Sequence, residues 1–79
     1  MYYVYILSSQ NLKKYYTGST SDIKKRILAH NVGKVRSTKS GKPWKLVYYE
    51  AFLTKKLAIR EELFLKSGKG RERIQYIFN

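Results

Sequence analysis

Four kinds of side chain in this sequence have the chemistry to handle a phosphate ester, and their spacing groups them. Tyr5 and Tyr16 are polar-tipped aromatics in two short runs, Val4-Tyr5-Ile6 and Tyr16-Thr17-Gly18. Arg26 and His30 stand one helical turn apart, so a helix would place them on one stripe together with Asp22. A guanidinium carries fixed donors that suit phosphate oxygens. An imidazole can donate to phosphate, pass a proton or cap a helix. Glu62 is a carboxylate in a helical stretch, four residues before Lys66. Each has an ordinary reading as well. With 8 tyrosines in the chain, any two can simply be core residues. Arg26 and His30 can belong to a solvated face, and Glu62 can form a surface pair with Lys66. Glu50, in the third apolar run, is the other carboxylate of interest.

The elements that must position these groups are legible in the pattern. Tyr2–Leu7 is aromatic and β-branched and reads as a strand. A polar connection, Ser8–Lys14, leads to a short second strand at Tyr15–Thr17 that Gly18 stops. The two should pair as an antiparallel hairpin with Tyr5 and Tyr16 on one face of the sheet. Ser19, Thr20 or Ser21 can cap the next helix, with Asp22 near its first turn. That helix should run to about Asn31 and end before Gly33, burying Ile23 and Ile27 with Leu28 beside them. Val32–Lys45 reads as a long, cationic, weakly structured loop containing Trp44. Leu46–Phe52 is the third strand, whose tyrosines are either core or, on an open face, available to stack on a base. Thr54 caps a helix over Lys55–Lys66 with Leu57, Ala58, Phe64 and Leu65 as its apolar positions. Ser67–Gly70 breaks it, and Arg71–Phe78 forms a last helix. The expectation is an α/β (α+β), two-layer fold: a small three-stranded antiparallel sheet flanked by helices, in the order β-β-α-β-α-α, as one domain over 1–79.

Composition narrows the chemistry. The 79 residues include no cysteine and one histidine, so a cysteine zinc site and a multi-histidine site are excluded. A metal, where one is used, must be held by carboxylate and water, which favours Mg²⁺ or Mn²⁺. No apolar run approaches the length of a membrane span. The opening MYYVYILSS lacks the basic start of a signal peptide, so a cytoplasmic location is expected. The net charge is +12. Lys13–Lys45 holds ten basic residues against Asp22 alone, whereas the rest of the chain holds seven against four acids. Such a field attracts polyanions. Lys24, Lys25, Lys34, Arg36, Lys39, Lys42, Lys69 and Arg71 are the cations assigned to the DNA backbone. The Ser-Gly-Lys-Gly stretch at Ser67 is not a phosphate loop, because it follows a helix and lacks the required glycine spacing.

Taken in order, these segments resemble the GIY-YIG nuclease family, over essentially the whole chain. Val4-Tyr5-Ile6 stands for the first triplet and Tyr16-Thr17-Gly18 for the second. Asp22-Ile23-Lys24-Lys25-Arg26-Ile27 followed by His30-Asn31 stands for the arginine helix. Tyr49-Glu50-Ala51-Phe52 and the Ala58, Glu62, Lys66 series complete it. The sequence is most similar to the short, stand-alone, UPF0213-like bacterial branch. It departs in two places: Val4 replaces the first glycine, and Ser19 follows Gly18 where repair-type members carry lysine.

The resemblance implies hydrolysis of DNA phosphodiesters with one divalent metal. Tyr5, Tyr16, Arg26, His30 and Glu62 would be the catalytic residues and Glu62 the metal ligand. A tyrosine would take the proton of the attacking water, Arg26 would stabilise charge on the phosphate, and His30 would orient an oxygen or water. With no room for a separate recognition domain, specificity should be low or set by DNA shape, and whether an unidentified partner protein supplies targeting is left open. A monomer or weak dimer is expected. Two other classes stay open: a basic nucleic-acid-binding module without catalysis, and an interaction subunit whose basic face meets an acidic partner or rRNA.

Overall fold

The structure, a computed structural model, describes residues 1–78. Its elements are β1 (Tyr2–Ser9), β2 (Lys14–Thr20), α1 (Ile23–Asn31), a 3-10 segment (Arg36–Gly41), β3 (Lys45–Phe52), α2 (Lys55–Leu65) and α3 (Gly68–Phe78). The order is the one expected from the sequence. The three strands form one antiparallel sheet in the spatial order β2-β1-β3.

β1 is central, and its apolar run is continuous for that reason. Val4, Tyr5, Ile6 and Leu7 are each no more than 1% exposed. Strand alternation sends Val4 and Ile6 to one face, where they meet Ala58 and Leu65 of α2 and Ile74 of α3. Tyr5 and Leu7 point to the other face, against Trp44 and Ile27 of α1. Helices thus flank the sheet on both sides. The α+β fold with a three-stranded antiparallel sheet flanked by helices is the one expected, and both faces of the central strand are covered because both are apolar. Burial of a side chain such as Leu65 contributes about 2 kcal/mol.

Four local expectations are corrected. The cap of α1 is Asp22 itself, whose side chain accepts from the Lys25 amide at 3.0 Å. Thr20 serves the turn before it, accepting from the Asp22 amide. Within α1, Leu28 is 62% exposed, whereas His30 is fully buried. The inward stripe is therefore the polar one, Arg26 and His30, with Ile23 and Ile27 half-buried beside it. α1 ends where expected: Gly33 takes φ +81°, and the Lys34 amide returns to the Ala29 carbonyl at 3.0 Å.

The cationic segment after α1 is not a loose loop. Its 3-10 turn buries Thr38 and Gly41. Trp44 is 5% exposed, and its indole N–H donates to the Thr38 carbonyl at 2.6 Å. The Asn31 side chain brackets the Trp44 backbone, donating to its carbonyl and accepting from its amide. The Ser9 hydroxyl holds the Gly41 carbonyl at 2.7 Å.

α3 begins at Gly68, three residues earlier than Arg71, because Ser67 caps it and accepts from the Gly70 amide at 3.2 Å. Gly70 is buried against the backbone of Phe64 and Leu65, where a Cβ would collide. The glycine there permits close helix approach rather than flexibility. On α2, Ala58 and Leu65 are the buried apolar positions, while Leu57 and Phe64 are each 41% exposed.

Candidate functional site

Tyr5 and Tyr16 do share a face. Tyr16 lies opposite Leu7 and Tyr5 opposite Gly18, so the two tyrosines are diagonal neighbours across β1 and β2. Their ring centroids are 6.4 Å apart. Gly18 is needed for this arrangement, since a Cβ there would stand 2.5 Å from the Tyr5 hydroxyl oxygen.

α1 delivers Arg26 and His30 onto the same spot. Tyr5 Oη lies 2.9 Å from His30 Nε2. Arg26 Nε donates to Tyr5 Oη over a longer 3.4 Å. His30 Nδ1 lies 2.7 Å from Thr38 Oγ1. Thr38 itself donates to the Val35 carbonyl at 3.3 Å. That hydroxyl proton is thus committed, which assigns the hydrogen to Nδ1 of His30 and leaves Nε2 to accept from Tyr5. A directed chain results: Tyr5 to His30, His30 to Thr38, Thr38 to backbone. The Tyr16 ring stands edge-on to the His30 ring at 5.0 Å and closes the other side.

The electrostatics follow from this packing. Burial pushes the Tyr5 hydroxyl above its usual ionisation range, with the Arg26 hydrogen bond opposing it in part. Burial also lowers His30, reinforced by the Arg26 charge. Arg26 is raised, chiefly through its bond to Tyr5. At neutral pH the cluster holds a neutral tyrosine, a neutral imidazole and one fixed positive charge.

Glu62 stands on α2 and bonds to Ser19, which pairs with Val4 and so lies on the sheet face opposite Tyr5. Its Oε1 accepts from the Ser19 hydroxyl at 2.6 Å, and its Oε2 pairs with Lys66 at 2.7 Å. Lys66 Nζ is 5.9 Å from the Tyr16 ring centre. The surface pair with Lys66 is therefore present, and it lies beside Tyr16. Glu61 points elsewhere and meets Arg73 at 3.4 Å. Among the described residues, no group of three or more His, Cys, Asp or Glu is placed to hold a metal. The donor set fits only an ion that keeps most of its water and takes one carboxylate, as magnesium and manganese do. Glu50 Oε1 is buried without a hydrogen-bond partner, on the opposite sheet face from Tyr5, since Glu50 pairs with Val4.

A cleft of about 410 Å³ opens on Tyr16, with Lys66 and Arg71 on its wall. The eight cations assigned to the DNA backbone are all exposed. Arg71 reaches this cleft, and Lys24 lines a second one beside Tyr3 and Tyr49. Lys39 and Lys42 converge over Gly33 at the end of α1. Lys25, Lys34, Arg36 and Lys69 line neither cleft. Sequence reasoning misses Thr38 and the Ser19–Glu62 bond. Thr38 lies in a polar stretch with no periodicity linking it to His30. Ser19 stands out in the sequence only as a serine where a lysine is the alternative.

A sheet of this topology, with paired tyrosines under an arginine helix and a glutamate at its rim, defines a GIY-YIG-type domain. The family model described as the GIY-YIG catalytic domain matches residues 1–75, and the chain belongs to that family. Its relatives place it in the UPF0213 branch. UPF0213 proteins of Streptococcus pyogenes serotype M5 (strain Manfredo) and serotype M2 (strain MGAS10270) are each 40% identical over 77 residues, covering 95% of this chain and 83% of theirs. The solution NMR structure of a UPF0213 protein from Bacillus halodurans is similar with a TM-score of 0.57 at 36% identity, over 98% of this chain and 85% of that one. Among the described residues, no helix is long and apolar enough to cross a membrane.

Proposed function

We propose that this domain binds the phosphate backbone of nucleic acid, DNA above all, in the bacterial cytoplasm. The cleft on Tyr16 and the Tyr5–Arg26–His30 cluster would form its centre. The observation that carries the reading is the arrangement around Arg26. Its Nε donates to Tyr5 and its charge also acts on Tyr16, so a phosphate entering over Tyr16 would meet the guanidinium, on a chain of net charge +12.

A second reading is favoured by one specific observation: Tyr5, Tyr16, Arg26 and His30 converge, and Glu62 holds Lys66, whose Nζ is 5.9 Å from the Tyr16 ring centre. In that reading the site also hydrolyses the phosphodiester. Tyr5, buried, orients Arg26 and His30. Tyr16, half-buried on the open cleft, meets the phosphate or the attacking water. Arg26 stabilises charge developing on the phosphate oxygens. Glu62 is the residue to hold Mg²⁺ or Mn²⁺ in place of Lys66, and the chemistry such an ion supplies is polarisation of the phosphate.

One experiment separates the two. Gel retardation in chelator measures binding. Nicking of supercoiled plasmid and branched DNA, titrated with magnesium and manganese, measures hydrolysis. A binding module retards and never nicks. A nuclease nicks, and Glu62→Gln and Arg26→Ala each remove nicking while retardation largely persists. Glu62→Gln should hold or slightly raise metal-free affinity, because it removes a negative charge facing phosphate. Glu61→Gln is the control and should nick as the parent does. A chain that retards no nucleic acid at low salt would end both readings.

A further inference from the structure

The sheet face that carries Tyr5 continues outward onto β3, and there it is aromatic and open. Tyr5 pairs with Tyr49 across β1 and β3, so the two side chains share a face. Tyr5 is 1% exposed under α1, whereas Tyr49, on the edge strand, is 57% exposed. Tyr3 stands next along that face, its ring centre 6.2 Å from that of Tyr49 at an interplanar angle of 66°. An edge-to-face pair of this kind fixes ring orientation without stacking the two faces together. Ala51, opposite Tyr3, adds almost no bulk and is exposed, so the rim of the sheet is open there.

A cleft of about 460 Å³ lies between these rings and α1, floored by Ile23, Ile27 and Leu46, with Lys24 at its rim and Asp22 beside it, the Asp22 carboxylate engaged in capping the Lys25 amide. Apolar floor, aromatic side and cationic rim form a combination that fits a planar heterocycle attached to an anionic chain. A phosphate on Lys24 and a base on Tyr49 would thus share one cleft. Arg26 lies outside this cleft, on Tyr5 Oη, which leans over Gly18 toward β2.

We infer that Tyr49, held by Tyr3, is a nucleobase-stacking subsite beside a phosphate position at Lys24, and that the strand bound there is unpaired at that nucleotide. A base inside a continuous duplex has no free face to offer Tyr49. Single strands, frayed ends and gaps do. The inference rests on the phosphate-binding reading and adds a substrate class to it: single-stranded or locally opened nucleic acid.

The test uses two fluorescent oligomers of equal length and charge, oligothymidylate and an abasic strand with the same phosphodiester backbone. Parent protein should bind oligothymidylate more tightly, by on the order of tenfold. Tyr49→Ala should lose that difference, and Tyr49→Phe should keep most of it, because the stacking face survives without the hydroxyl. Affinity for the abasic strand should be the same in all three proteins. In NMR, the Tyr49 ring protons should shift upfield with oligothymidylate and stay in place with the abasic strand. Equal binding of the two strands by the parent overturns the subsite and leaves phosphate binding standing. A Tyr49→Ala loss of equal size on both strands also overturns it, since the role of Tyr49 would then be structural. Failure of the parent to bind either strand would overturn the phosphate-binding reading, and the subsite with it.

Discussion

His30 is the residue whose surroundings most constrain its chemistry. It is fully buried, with both ring nitrogens engaged, by Tyr5 on one side and Thr38 on the other. Protonating it would place a second cation beside Arg26 without water, which is why its ionisation is depressed. Unfolded, it titrates near the ordinary histidine value of about 6.5. Below that pH the unfolded chain takes up a proton that the folded chain refuses. The stability due to neutral His30 is therefore complete above about pH 6.5 and is lost as pH falls toward the lowered folded value. Melting temperature followed from pH 8 to pH 5, in steps of about half a unit, should show this loss. His30→Gln should flatten that part of the profile, because an amide has no proton to gain. It should also lower stability at pH 8 by about 1–3 kcal/mol, since one of two buried hydrogen bonds is left poorly made. An unchanged acid limb in His30→Gln would show that another group sets it. Thr38→Val tests the same chain from its far end: it removes the hydroxyl that fixes the imidazole and should act on the same limb of the pH profile.

At the scale of elements, glycine separates two roles that look alike in sequence. Gly68 and Gly70 both lie in the first turn of α3. An added Cβ at Gly68 meets nothing within 4 Å, whereas at Gly70 it meets the Phe64 carbonyl and the Leu65 backbone. Gly68→Ala should be neutral or stabilising by up to about 1 kcal/mol, through helix propensity. Gly70→Ala should destabilise by about 1–3 kcal/mol or more, because backbone cannot step aside as a side chain does. Urea unfolding of the two variants should move in opposite directions from the parent, and a Gly70→Ala midpoint equal to the parent's would show that α2 and α3 do not pack as described. The same contrast shows what a sequence can reveal. Strand positions and helix order are readable because alternation and helical spacing are local. Tyr5, Tyr16, Arg26, His30 and Glu62 stand out through the family pattern, since each residue alone has an ordinary explanation. What stays hidden is non-local. Nothing in Arg36–Gly41 announces that Thr38 meets His30, or that Trp44 pins the segment down. Leu28 is expected inside because it is apolar, but the polar stripe of α1 turns inward where Tyr5 and Thr38 offer it partners.

For the whole molecule, the proposed affinity for nucleic acid would divide into a part due to charge and a part due to shape. A chain of net charge +12 binds polyanions through counterion release, and each phosphate that a cation neutralises steepens the salt dependence. If about five of the exposed cations meet phosphates, log affinity against log salt should fall with a slope of about −3.5 on a single strand and about −4.5 on duplex. The cations are not equivalent. Lys39 and Lys42 gather at the end of α1, with Arg36 on the same ordered 3-10 segment. Replacing all three with alanine should shallow the single-strand slope by about 2, if each meets one phosphate, while Arg71→Ala should shallow it by about 0.7. Base stacking releases no counterions, so a Tyr49→Ala change should lower affinity by the same factor at every salt concentration and leave the slope intact. Fluorescence anisotropy from about 50 to about 300 mM salt, a range over which the Debye length falls by roughly half, resolves the two effects in one data set. A parent slope near zero would show that the basic surface is not what holds the strand, and the cations around α1 would then need a different polyanionic or acidic partner.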